Sequence, residues 1–88
     1  MLVIEQSNAF KRDVKKAKSQ GRKFKLFEEI IGLLLNEMDL PIRCCNHKLI
    51  GNYDGYHELH IQPDWLLIYK VKKNILYLAR MGSHSELF

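Results

Sequence analysis

What the chain lacks limits the classes of protein to which it can belong. No apolar run among its 88 residues approaches the roughly 20 that span a bilayer. The stretch MLVIEQS lacks the basic-then-apolar layout of a secretory signal, so we expect a cytoplasmic protein without membrane contacts. There are no repeats, linkers or low-complexity tracts, which predicts a single domain over residues 1–88. A chain this short has room for one core and one shallow site, and we expect no cofactor.

Cysteine is scarce, since Cys44 and Cys45 are the only two and are neighbours. A disulfide between adjacent residues would close a strained ring, and the cytosol is reducing. A metal site of Cys44, Cys45 and His47 is the alternative, but it lacks the C-x-x-C spacing of ordinary zinc sites. The sequence therefore favours free thiols and predicts no metal.

The net charge of +4 is unevenly spread along the chain. Residues 1–27 hold eight Lys or Arg against two acids, whereas residues 28–66 hold two against seven. Such a block can be a solvated helix face, or it can steer a polyanion such as RNA to one side of the molecule. The charge pattern alone leaves both interpretations open. The block includes Lys11, Arg12, Lys15 and Lys16.

Hydrophobic periodicity predicts a strand and two helices in the N-terminal half. Residues 1–5 alternate weakly, and Ser7 is a suitable N-cap for a first helix that Gly21 ends. Pro41 ends the second helix, because proline disfavours helix in the residue before it. The apolar stripe of that second helix consists of Phe24, Phe27, Ile31, Leu34, Leu35 and Met38.

Beyond Gly55 the apolar period changes to two, which predicts strands over residues 56–61, 65–71 and 75–81. Hairpins this close together imply antiparallel neighbours. The tail GSHSELF is too short and polar to predict an element. The predicted fold class is α+β, with an N-terminal strand and a helical hairpin packed on an antiparallel β-sheet.

Strand alternation places candidate chemical groups on one face of this sheet. Leu59 and Ile61 belong in the core, and Arg80 should point outward or be paired, because an unpaired charge in an apolar core is costly. His60 and Arg80 can thus share the face away from the helices, with His84 close by. The residues left opposite the core in the first of these strands are Tyr56, Glu58 and His60.

A cluster of histidines with an arginine suits cleavage of RNA. The ribose 2′-OH is the nucleophile, so the protein needs only a base, an acid and a cation for the phosphate. Histidine can do either proton transfer near neutral pH, and arginine offers a fork of donors to phosphate oxygens. Each histidine taken singly is more often an ordinary surface residue.

Two motifs give the chain a resemblance to a known family. The segments HIQPDW, residues 60–65, and RMGSH, residues 80–84, together with the terminal Leu-Phe pair, resemble the YafQ branch of the RelE/ParE toxin superfamily. The resemblance covers the whole chain and implies the RelE-like fold. It also implies a metal-independent, ribosome-dependent mRNA endoribonuclease of a type II toxin–antitoxin system, neutralised by a cognate protein antitoxin.

The resemblance also implies roles for particular residues. The family's active-site set falls on His47, His60, Asp64, Trp65, Arg80, His84 and Phe88. His60, Asp64 and His84 would serve proton transfer, with Asp64 alternatively orienting a histidine. Arg80 would bind the scissile phosphate, while Trp65 and Phe88 would hold the nucleotide. The position of His57 usually carries arginine, so a cation near the active strand is weakened here or depends on pH.

Two other functions are compatible with the sequence. A ParE-like toxin that poisons gyrase would share the fold, but members of that branch generally lack the histidine set. A non-catalytic RNA-binding or partner-binding module would explain the basic block and leave the histidines and Arg80 without a purpose. Induced expression with and without the neighbouring reading frame separates these alternatives.

Overall fold

The computed structural model describes all residues from Met1 to Phe88. The elements are β1 (Val3–Gln6), α1 (Asn8–Ser19), α2 (Phe24–Leu35), β2 (His47–Lys48), β3 (His57–Gln62), β4 (Trp65–Lys72), β5 (Ile75–Gly82) and α3 (His84–Leu87), with 3-10 turns at Ile42–Cys44 and Gly51–Tyr53. The five strands form one sheet in the order β1-β5-β4-β3-β2, in which β1 runs parallel to β5 and the other neighbours are antiparallel. The predicted α+β class is confirmed.

The first helix begins where the sequence predicts. The hydroxyl of Ser7 accepts a hydrogen bond from the Phe10 amide at 2.9 Å, which satisfies one of the free N–H groups of the first turn. Phe10 and Ala17 are buried against the sheet. The helix ends before Gly21, whose φ of 73° lies in the left-handed region.

The second helix ends at Leu35, six residues before the predicted stop at Pro41. Glu37 has a φ of 53°. Its backbone N–H donates to the carbonyl of Leu34, and the backbone N–H of Met38 donates to the carbonyl of Leu33. This is the Schellman arrangement, which usually has glycine where this chain has Glu37. The predicted place of Met38 in the apolar stripe was therefore wrong, and its side chain is exposed.

The sheet buries both of its faces. The two helices cover one face, on which Leu59, Ile61 and Leu78 pack against Phe10 and other helix residues. A smaller cluster of Leu66, Ile68 and Leu87 lies on the opposite face, beneath the chain's C-terminal end and the 49–56 segment. None of the helices is long and apolar enough to cross a membrane.

The C-terminal tail forms α3, which the sequence analysis missed. Ser83 and Glu86 form a capping box, in which each side chain accepts from the other residue's amide, at 3.2 and 2.8 Å. Glu86 also pairs with Lys16 of α1 at 2.6 Å, and Leu87 is buried. These contacts fix the tail beside the end of β5.

Candidate active site

The strand register brings the predicted residues of β3 and β5 to one face of the sheet. Glu58 lies opposite Ile68 in β4, and Ile68 lies opposite Arg80 in β5. His60 follows on the same face, since side chains alternate along a strand. Directly opposed residues share a face, so Glu58, His60 and Arg80 start from the side that does not carry α1 and α2, as predicted.

His84 is held by Asp64, which lies in the turn between β3 and β4. The His84 Nδ1 atom is 2.8 Å from Asp64 Oδ1, and the same oxygen accepts the His84 backbone N–H at 3.0 Å. Both hydrogen bonds lower the pKa of Asp64, and the bond from the His84 backbone contributes the most. Because an ionised carboxylate only accepts, Nδ1 of His84 carries the hydrogen, and a neutral ring leaves a lone pair on Nε2.

Glu58 lies between two further histidines. Its Oε1 atom is 3.6 Å from Nε2 of His60 and 3.5 Å from Nε2 of His47, and its side chain is only 8% exposed. His47 Nδ1 donates to the Cys45 carbonyl at 2.7 Å, which sets the orientation of this ring. Alternation placed Glu58 on the correct face, but no sequence motif marked it as part of the site.

The rings of His60 and His84 lie next to each other, with their centroids 5.6 Å apart. One ligand atom from each of Glu58, His60 and His84 lies within 4.8 Å of the other two. Two imidazoles and a carboxylate are suitable ligands for a divalent transition metal. The same three groups can therefore either transfer protons or hold a metal ion, although the sequence predicted no metal.

Arg80 forms an ion pair with Asp13 of α1. The sequence predicted that this charge would either point outward or be paired, because an unpaired charge in an apolar core is costly. The Arg80 Nε atom donates to Asp13 Oδ2 at 2.7 Å and its Nη2 atom to Asp13 Oδ1 at 3.2 Å. The hydrogen bonds to Asp13 raise the pKa of Arg80, with a smaller contribution from Tyr53. Asp13 is the second residue that sequence reasoning missed, because it lies 67 positions away within the basic block.

The two aromatic residues of the predicted set lie in different surroundings. Trp65 has no exposed surface and packs against Phe24 and Phe27 in the core, so it is not available to a nucleotide in this structure. Phe88 is 62% exposed, and its ring lies edge-on to Tyr53 with centroids 6.0 Å apart. Tyr53, which was not predicted, thus links the terminal ring to the neighbourhood of Arg80.

His57 lies on β3, the strand that also carries Glu58 and His60, but not on the face where those two residues lie. It points to the opposite side of β3 from Glu58, against the ring of Tyr69 at 5.5 Å. Burial is the main cause that lowers the pKa of His57, and the nearby charge of Lys48 lowers it further. The largest surface groove, about 900 Å³, is lined by His57 and Tyr69 and holds none of the clustered histidines.

The four residues of the basic block that are candidates for contact with RNA all lie on α1 and fall into two groups. Lys11, Arg12 and Lys15 are exposed, while Lys16 is engaged by Glu86. Neither cysteine forms a disulfide; Cys44 is buried and Cys45 is exposed.

The chain is similar to known toxins over its whole length. A family model described as "Bacterial toxin of type II toxin-antitoxin system, YafQ" matches residues 2–88. The mRNA interferase toxin YafQ of Escherichia coli K12 is 36% identical over 86 residues, which are 97% of this chain and 94% of that protein.

Solved structures agree with this similarity. A metal-bound toxin from Helicobacter pylori is 42% identical with a TM-score of 0.94, and each chain is covered completely. A toxin in the E. coli DinJ-YafQ complex is 35% identical with a TM-score of 0.92, covering 100% of this chain and 99% of that one.

Proposed function

Because the chain belongs to the YafQ family of toxins of bacterial type II toxin–antitoxin systems, we propose that it is an endoribonuclease that cuts mRNA on the ribosome. The observation that carries this proposal is the pair of adjacent imidazoles, His60 and His84, each beside a carboxylate. Arg80 starts from the same face of the sheet. These residues supply a base, an acid and a cation, and the E. coli relative is named an mRNA interferase.

The reaction begins with attack of the ribose 2′-OH on the adjacent phosphorus. We assign His84 as the base that takes the 2′-OH proton, since its bond to Asp64 leaves Nε2 free to accept. We assign His60, the other imidazole of the cluster, as the acid that gives its proton to the departing 5′ oxygen, and its Nε2 atom lies 3.6 Å from Oε1 of Glu58. The products are a 2′,3′-cyclic phosphate and a 5′-hydroxyl, and no step uses a metal.

The remaining residues suit a substrate that is presented by a larger particle. Phe88 offers an exposed ring on which a base can stack. The exposed cations of α1 would contact phosphates of ribosomal RNA. A shallow site gains much of its rate from a substrate that is already oriented, and the ribosome would provide that orientation.

Primer extension on mRNA from cells induced to express the chain tests this function. We expect new 5′ ends within codons of translated messages and none in untranslated transcripts. Intact transcripts together with broken DNA would instead support the gyrase-poisoning alternative.

A cognate protein antitoxin is the expected partner. Members of the family come from toxin–antitoxin systems, and a solved relative is in complex with a second protein, DinJ. We propose that the antitoxin of this chain blocks the histidine cluster. Expression from the native operon should yield a copurifying complex that does not cut mRNA, whereas a complex as active as the free chain would contradict the proposal.

A further inference from the structure

We propose that Asp13 is a positioning residue that holds the Arg80 guanidinium with one edge presented to the scissile phosphate. This proposal rests on the proposed RNA cleavage, and it adds α1 to the site. Asp13 itself would not contact the RNA. It would act through Arg80.

The contact between Asp13 and Arg80 uses both oxygens of the carboxylate and two nitrogens of the guanidinium. Asp13 accepts from the Nε and Nη2 atoms of Arg80, and its Oδ2 atom also accepts the Met81 backbone N–H at 3.0 Å. The Asp13 side chain is 12% exposed and that of Arg80 is 29% exposed. A bidentate pair at this burial fixes the guanidinium more firmly than an ordinary surface ion pair does.

The geometry divides the guanidinium into an occupied edge and a free edge. Arginine can bind a planar anion through Nε and one terminal nitrogen, or through its two terminal nitrogens. Asp13 occupies the first of these edges. The edge formed by Nη1 and the second hydrogen of Nη2 is left for a phosphate oxygen pair.

The position of Asp13 in α1 is consistent with this role. It lies three residues after Phe10 and four before Ala17, both of which are buried, so it belongs to the sheet-facing side of the helix. It is also the only acid in a helix whose other charged residues are all basic. A carboxylate at such a position would be costly without a partner, and that partner is Arg80.

The test uses the full chain as Asp13→Asn, Arg80→Ala and the double variant, with mRNA-programmed ribosomes as substrate. We expect Asp13→Asn to lower kcat about tenfold or more with KM changed less than twofold, because a misplaced group loses rate while the substrate still binds. The double variant should be no slower than Arg80→Ala. Glu5→Gln removes the same charge at an exposed position of β1 and should leave both constants unchanged.

A measurement on the free chain separates this proposal from the proposed function. In ¹⁵N NMR spectra the Arg80 Nε–H should exchange slowly with solvent in the unsubstituted chain and quickly in Asp13→Asn. Dispersed amide spectra of both would show that each is folded, and Asp13→Ala provides a second variant if the first is not.

The outcomes then have distinct meanings. Full kcat in folded Asp13→Asn, or an additive loss in the double variant, would overturn the positioning role. A protected Nε–H in a chain that does not cut mRNA would instead overturn the proposed function and leave the Asp13–Arg80 contact intact.

Discussion

Asp64 binds both the side chain and the backbone of His84 through a single carboxylate oxygen, at 2.8 and 3.0 Å. The first bond selects the tautomer of the imidazole, and the second stabilises the start of α3. The turn between β3 and β4 thereby determines which nitrogen of His84 is free to accept a proton.

Asp64→Asn should lower cleavage more than it lowers stability. The amide can bond to the backbone N–H of His84, but its NH₂ group can donate where the carboxylate only accepts, so it no longer enforces the hydrogen on Nδ1. We expect a loss of about a hundredfold in kcat, the range of a general acid–base contribution. Single-turnover cleavage on programmed ribosomes measures the rate, and thermal unfolding serves as the control. An unchanged rate would show that His84 does not depend on Asp64.

The C-terminal helix α3 should lose stability in acid, because the ionised Glu86 carboxylate binds it to Lys16 and to the Ser83 amide. Lys16, the Ser83 amide and other contacts lower the pKa of Glu86 from 4.5 to about 2. A depressed pKa contributes stability that is fully present above pH 4.5 and is lost as the pH falls through about 2. Glu86→Gln should therefore destabilise the chain by about 1 kcal/mol at pH 7, as loss of a helix cap does.

Thermal unfolding of the unsubstituted chain and Glu86→Gln as a function of pH measures this contribution. The difference between the two should be constant above pH 5 and should shrink towards pH 2. Ser19→Ala, an exposed substitution on α1, should show no such trend. A difference that persists unchanged at pH 2 would mean that the carboxylate is not the cause.

Divalent transition metals should inhibit the enzyme. Glu58, His60 and His84 can bind one ion together, and an ion bound there would occupy the nitrogens that transfer protons. We expect Cu²⁺ or Zn²⁺ to stop cleavage and chelator to restore it. Isothermal titration of the free chain should give an affinity that falls at least tenfold in Glu58→Gln. Cleavage that increases with added metal would contradict the proposed mechanism.

The exposed cations of α1 should contribute to ribosome binding and not to the chemical step. Lys11→Gln and Lys15→Gln should each reduce the slope of log affinity against log salt by about 0.8, since each lost phosphate contact releases fewer counterions. Lys25→Gln on α2 is the matched control. Sedimentation binding to 70S ribosomes across a salt series measures the slopes. Unchanged slopes would show that these residues make no phosphate contacts and form only a solvated helix face.

Local signals in the sequence predicted the parts of the fold that depend on near neighbours. The Ser7 cap and the period-two strands are short-range features, and alternation placed His60 opposite the core. The face of Arg80 was predicted from the cost of burying its charge, and a register shift between β4 and β5 places Arg80 on the opposite face from Leu78. The end of α2 was misplaced because Glu37 adopts a left-handed conformation that glycine usually marks. The helix α3 was missed although its S-x-x-E signature is present, because four residues form a stable helix only with tertiary contacts.

Long-range pairs in the site could not be predicted from one sequence. Nothing in the basic block indicates that Asp13 bonds to Arg80, and nothing in the family motif indicates that Trp65 is fully buried. Such contacts depend on how α1 and α2 pack on the sheet, which periodicity does not specify. Glu58 is an intermediate case, since its face was predicted and its position between His47 and His60 was not.

The most direct test of the central claim is the chemical identity of the ends that the chain leaves on mRNA. Cleavage of programmed ribosomal complexes by the unsubstituted chain and by His84→Ala, which changes an exposed residue, is followed by mass spectrometry of the fragments. Attack by the 2′-OH predicts a 2′,3′-cyclic phosphate, or its 3′-phosphate hydrolysis product, opposite a 5′-hydroxyl. It also predicts a rate at least about a hundredfold lower in His84→Ala. Fragments that end in a 3′-hydroxyl, or undiminished cleavage by His84→Ala, would contradict the assignment of this site.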